Sequence, residues 1–116
     1  METTQAVDAL AALAQATRLS IYRFLVEAGA RGLAAGAIGE ALALPGATLS
    51  FHLAHLARAG LVNSRQEGRF VIYSANFENM NALVGYLTDN CCAGSSCAPV
   101  CRPGSRKPRR RATAKA

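Results

Sequence analysis

The stretch ATLSFHLAHLARAG, residues 47–60, constrains the fold of this chain more than any other. At about 100° per residue it gathers Leu49, Leu53, Leu56 and Gly60 into one narrow arc, the pattern of an amphipathic helix. The remaining face carries Thr48, Ser50, Phe51, His52, His55 and Arg58. Two β-prone runs follow at once, LVNSR and RFVIYSA, joined by Gln66-Glu67-Gly68. They read as a hairpin in which Gly68 supplies the positive φ. A helix with a polar face thus runs directly into a β-hairpin.

The rest of the chain is helical in pattern. Residues 6–15, AVDALAALAQ, are rich in the best helix formers, with Val7, Leu10 and Leu13 as an expected apolar track. Thr17 is expected to cap a second helix in which Leu19, Tyr22 and Val26 follow at helical spacing, and Gly29 stops it. A third helix is expected over residues 33–44, with Leu33, Ala37, Glu40 and Ala41 in register, ending at Pro45-Gly46. Asn76 is expected to cap a closing helix whose stripe is Met80, Leu83, Val84 and Leu87. Tyr22, Tyr73 and Tyr86 are expected in the core. The resulting class is mainly α with a β-hairpin wing, a winged helix-turn-helix. Its chemistry is DNA reading, with one helix in the major groove and the hairpin on the backbone or minor groove.

Residue types on the exposed side agree. Thr48 and Ser50 can bond to bases or phosphates, or alternatively serve as helix caps. His52 and His55 can reach base edges or phosphates, or bind a metal as an i, i+3 pair, although no carboxylate or thiol lies near them in sequence. Arg65 and Arg69 flank the expected wing turn, where a guanidinium meets phosphate or the minor groove. Phe51 is expected to pack against another element or a DNA sugar.

A core of this size is marginal alone, so a disulfide, a metal or a partner subunit would help it, and dimerisation is expected. The formal charge is +6, but residues 102–116 carry seven Lys or Arg and no acid, leaving six Arg against seven Asp or Glu before them. The basic segment is expected to be a disordered tail that adds sequence-independent attraction to phosphate, or a solubilising extension. METTQAVDAL lacks a basic region followed by an apolar run, and no eighteen-residue apolar stretch occurs. A cytoplasmic protein with no membrane partner is therefore expected.

The segments ALAQATRLSIYRFL, GLAAGAIGEALALPGATLSFHLAHLARAGLV and SRQEGRFVIYSA resemble, in order and separation, the ArsR/SmtB family of metalloregulatory winged-helix repressors. The likeness spans roughly residues 6–90. Its most diagnostic block is LSFHLAHLARAGLV, where Ser50, His52, Leu53, Leu56, Gly60 and Leu61 fit the family's recognition helix and its exit into the wing. The resemblance implies a homodimer held by the first and last helices. It also implies double-stranded operator DNA with an inverted repeat as partner, and release when a toxic metal or metalloid binds.

All four cysteines fall within residues 91–101, in CCAGSSCAPVC. The third helix, where many arsenic and cadmium sensors of this family carry Cys-x-Cys, has no thiol here. The closing helix, where zinc sensors place Asp, His and Glu, offers only Glu78 and Asp89. Cys91, Cys92 and Cys97 are similar to the vicinal pair plus downstream cysteine of a branch of arsenite sensors, and Cys101 is an extra. The chemistry is compatible: thiolates are soft donors, As(III) takes three sulfurs in a pyramid, and Ala93-Gly94-Ser95-Ser96 allows Cys97 to return to the pair. Arg102, Arg106 and Lys107 should favour thiolate over thiol.

The reading is an arsenite-responsive repressor that binds its operator as an apo homodimer. Its segments are a DNA-binding and dimerisation domain over 1–90, a metalloid-binding segment over 91–101 and the basic tail over 102–116. Sb(III) or methylarsenite as inducer, a cadmium, lead or zinc sensor of the same family, a thiol redox switch or redox enzyme, and a nucleic-acid module driven by the tail stay open.

Overall fold

The structure, a computed structural model, describes residues 1–89, so Cys91, Cys92, Cys97 and the tail lie outside the described residues. In chain order the elements are α1 (Thr3–Leu13), α2 (Ala16–Ala28), β1 (Leu33–Ala34), α3 (Ala35–Leu42), α4 (Gly46–Arg58), β2 (Val62–Glu67), β3 (Phe70–Ala75) and α5 (Phe77–Leu87). Met1–Leu83 form one compact unit, and Val84 begins a second. In that second unit the end of α5 is closed by Thr88, whose hydroxyl donates to the Val84 carbonyl at 2.9 Å.

Local chemistry sets the helix ends. At the start of α1, Glu2 and Gln5 form a reciprocal capping box, with the Glu2 amide donating to Gln5 Oε1 at 2.8 Å. Gln15, not Thr17, caps α2 by accepting from the Arg18 amide at 2.8 Å. Asn76 caps α5 as expected, its Oδ1 accepting from the Asn79 amide at 3.0 Å.

The core is assembled from Ile21 and Leu25 of α2, Ile38 of α3, Leu49, Leu53 and Leu56 of α4, then Leu61, Val62, Ala75 and Leu83, all buried. Each such Leu or Ile contributes roughly 1.5–3 kcal/mol by leaving water. The α4 arc is the one its spacing predicts. In α1 the buried face is Ala6, Ala9 and Ala12, while Val7 is 56% and Leu10 is 42% exposed. The expected Val7–Leu10–Leu13 track is therefore not the one facing this core, because the small alanines let α1 lie close against α2 and α4. Tyr22 is buried, with no hydrogen-bond partner for its hydroxyl among the described residues. Tyr73 and Tyr86 are half-buried.

The expected third helix begins two residues late and buries a different side. Leu33 and Ala34 form a strand paired with Tyr73 and Ile72, which gives an antiparallel sheet ordered β1-β3-β2. Gly32 makes this possible: its φ is 76°, and a side chain there would run into the Tyr73 carbonyl. In α3, Ala37, Glu40 and Ala41 are exposed and Ile38 is the buried anchor. The helix ends at Ala43, in the left-handed region, before Pro45-Gly46 is reached. The hairpin turn is Gly68-Arg69, one position later than expected, since Gln66 and Glu67 pair with Val71 and Phe70. With Gly68 at φ 60° and Arg69 at ordinary φ, it follows the type II′ pattern suited to strand twist.

Candidate nucleic-acid interface

Helix α4 is 13 residues long, about 20 Å, and turns its Leu49–Leu53–Leu56 side inward. The opposite side is open. Thr48, Ser50 and Phe51 are exposed, His52 and His55 half-buried, and Arg58 exposed at the last turn. Pro45 occupies the N-cap position and no side chain caps the helix, so Thr48 and Ser50 do not act as its caps. No acidic residue lies on α4.

His52 is drawn toward α2. Arg18 donates through Nε to the Ala12 carbonyl at 2.7 Å, and its Nη1 lies 3.5 Å from His52 Nδ1. The Phe51 ring meets the His52 ring edge-on, with centroids 5.5 Å apart and planes at 64°. His55 faces a cleft of ≈ 260 Å³ lined also by Asp8, Ala11, Arg58 and Ala59. Desolvation lowers the His55 pKa, followed by the positive charges of Arg18 and Arg58 and the neighbouring His52.

The wing places its two arginines differently. Arg69 sits in the turn itself, exposed. Arg65 lies along β2, where Nε donates to Glu67 Oε2 at 2.6 Å and Nη2 to the Arg31 carbonyl at 2.7 Å. Arg65 thus ties the wing to the loop after α2. Among the described residues no group of three or more His, Cys, Asp or Glu is placed to hold a metal ion.

The exit of α4 is bonded to the start of α5. The Leu61 amide donates to the Leu56 carbonyl at 3.0 Å, and the Asn76 amide to the Leu61 carbonyl at 2.8 Å. Asn79 Nδ2 donates to the Gly60 carbonyl at 2.9 Å. Gly60 has φ 80°, and a Cβ there would come within 2.8 Å of Asn79 Nδ2, so both conformation and space require glycine. Sequence reasoning missed Arg18 and Asn79 as site residues. Their partners lie 34 and 19 positions away along the chain, beyond any local pattern.

An exposed, acid-free helix α4 packed on α2 and α3, followed by a hairpin with an arginine at its tip, defines a winged helix-turn-helix regulator. Comparison with known proteins agrees. A family model for a helix-turn-helix domain matches residues 13–65. The transcriptional activator HlyU of Vibrio cholerae is 35% identical over 85 residues, 73% of this chain and 76% of that protein. Its structure superposes with a TM-score of 0.62, covering 79% of this chain and 99% of HlyU. A structure of reduced HlyU is also similar, at 33% identity and a TM-score of 0.59, over 78% of this chain and 92% of that one. The homodimeric winged helix-turn-helix DNA-binding domain of Mb0332 from Mycobacterium bovis, described as a possible ArsR-family regulator, is 30% identical with a TM-score of 0.61. That likeness covers 79% of this chain and 85% of the domain. A possible transcriptional regulator for arsenical resistance is 25% identical with a TM-score of 0.57, over 77% of this chain and 97% of that one. The chain belongs to the ArsR family of winged helix-turn-helix transcriptional regulators. The relative HlyU is a transcriptional activator. No helix among the described residues is long and apolar enough to cross a membrane.

Proposed function

We propose that this regulator is a repressor that binds operator DNA as an apo homodimer and leaves it when As(III) is captured by Cys91, Cys92 and Cys97. The observation that carries the reading is the sequence CCAGSSCAPVC, which is separated from the end of α5 by three residues along the chain. Three thiolates match the donor number and softness that trivalent arsenic takes. Sb(III) would bind by the same chemistry, and methylarsenite needs only Cys91 and Cys92. The likeness to a possible regulator for arsenical resistance is consistent with this ligand.

In this reading α4 enters the major groove and Thr48, Ser50, Phe51, His52 and His55 face the bases and phosphates. Arg69 and Arg65 bring the wing to the backbone, and a DNA approach has to compete with Glu67 for Arg65. A second copy covers the exposed Val7 and Leu10 of α1, as the homodimeric relative suggests. The bond from Asn79 to the Gly60 carbonyl gives movement of α5 a direct route to the end of α4. Ligand and DNA then oppose each other reciprocally, by about 1–3 kcal/mol.

The test is fluorescence anisotropy of a labelled duplex from the gene's upstream region with reduced protein. Arsenite should release the duplex from the native chain and not from a Cys91→Ser, Cys92→Ser, Cys97→Ser variant, with zinc as a parallel titrant. A second reading, a thiol redox switch, is favoured by the similarity to HlyU, of which a reduced form is described. Release by a mild oxidant, reversed by a dithiol and indifferent to arsenite, would replace the first reading with this one.

A further inference from the structure

We propose that Phe51 is a specificity-determining residue that reads the 5-methyl group of thymine in the operator's major groove; this rests on the DNA-binding reading above. Phe51 is 61% exposed and, at about 100° per residue, stands on the crest of α4 opposite the buried leucines. Ala47 and Ala54, on the same crest, are exposed and carry nothing longer than a methyl group. Phe51 therefore projects furthest in this part of the helix, and the edge contact with His52 braces its ring on one side.

The rest of α4 narrows what such a helix can read. Its sequence, GATLSFHLAHLAR, contains no Asn or Gln for bidentate pairing to adenine and no Asp or Glu to accept from the cytosine amino group. Its one arginine, Arg58, is the last residue. In the first three turns the available readout is single hydrogen bonds from Thr48, Ser50 and the histidines, together with apolar contact by Phe51. The only apolar group on a base edge in the major groove is the thymine methyl. An aromatic ring at the crest of an acid-free helix selects for it.

The experiment uses the full chain and the bound upstream duplex, with thymines replaced one at a time by deoxyuridine, which removes the methyl and keeps every hydrogen-bonding group. At one thymine or more in each half-site, affinity of the native protein should fall about fourfold, the worth of one buried carbon group. Phe51→Ala should bind the thymine duplex more weakly and lose this sensitivity, while Phe51→Leu keeps most of it. Circular dichroism and sedimentation should show both variants folded and in the native oligomeric state, since the side chain is exposed. The proposal is overturned if deoxyuridine has no effect at any position, if Phe51→Ala remains equally sensitive, or if Phe51→Ala changes the oligomeric state, which would make a second copy the occupant of this crest. Failure of the native protein to bind any duplex from the region would instead remove the DNA-binding reading itself, and this inference with it.

Discussion

Helices α1 and α4 are both short and amphipathic, yet they bury opposite kinds of face. α4 turns leucines inward and leaves a mixed polar surface outside. α1 turns Ala6, Ala9 and Ala12 inward and leaves Val7 and Leu10 outside. The difference is one of distance. Leucine at the contact fills the space between elements set well apart, whereas alanine allows close approach and buries little apolar area per residue. An apolar stripe therefore marks a face that some surface covers, and only the packed structure says whether that surface belongs to the same subunit.

Three substitutions test this contrast. Leu53→Ala opens a cavity in the centre of the α4 contact, and urea denaturation should show a loss of about 2–5 kcal/mol. An unchanged midpoint would mean that the α4 arc is not the main core contact. Ala9→Leu places a large side chain where α1 lies closest, with an expected loss of about 1–3 kcal/mol by overpacking. A neutral result would show that α1 sits more loosely than its zero exposure at Ala9 implies. Leu10→Lys should leave the folded protomer within about 0.5 kcal/mol, because the residue contributes little to its core. It should still shift sedimentation from dimer to monomer and make operator binding weaker by about tenfold or more. If Leu10→Lys instead unfolds the chain, the outer face of α1 is as essential to folding as the core of α4.

Much of the frame was legible in the sequence. The leucine arc of α4, the hairpin after it and the Asn76 cap each follow from a local rule: periodicity, β propensity or capping. The face of α1 was not legible, because alanine carries almost no signal in a hydrophobicity pattern. Strand β1 has two residues and exists because Gly32 lets it reach β3, a pairing across forty positions. The site was legible as a list of exposed polar residues on α4 and the wing, but not as an arrangement. Arg18 bracing His52, Asn79 holding Gly60 and Arg65 reaching the Arg31 carbonyl are all tertiary choices. Within the unit formed by residues 1–83, the cysteines, so prominent in the sequence, have no counterpart.

The two helices meet at His55, which makes it the finest probe of the comparison. It faces Asp8 and Ala11 of α1 across the small cleft, with Arg58 beside it and Arg18 and His52 acting on its charge. In the free protein its pKa is held below the ordinary value, first by desolvation and then by those positive neighbours. A DNA phosphate brought to this face would favour the imidazolium and raise that pKa. Binding is then linked to proton uptake: between the bound and free pKa values the complex holds more protons than the free protein. Affinity should accordingly rise as pH falls through the histidine range, by about threefold to tenfold between neutral and mildly acidic conditions. Above that range it should level off. His55→Gln should flatten the profile while keeping a hydrogen-bonding side chain. Anisotropy titrations at constant ionic strength measure it directly. A flat profile for the native protein would place His55 away from phosphate, and would assign it to the contact between α1 and α4 alone.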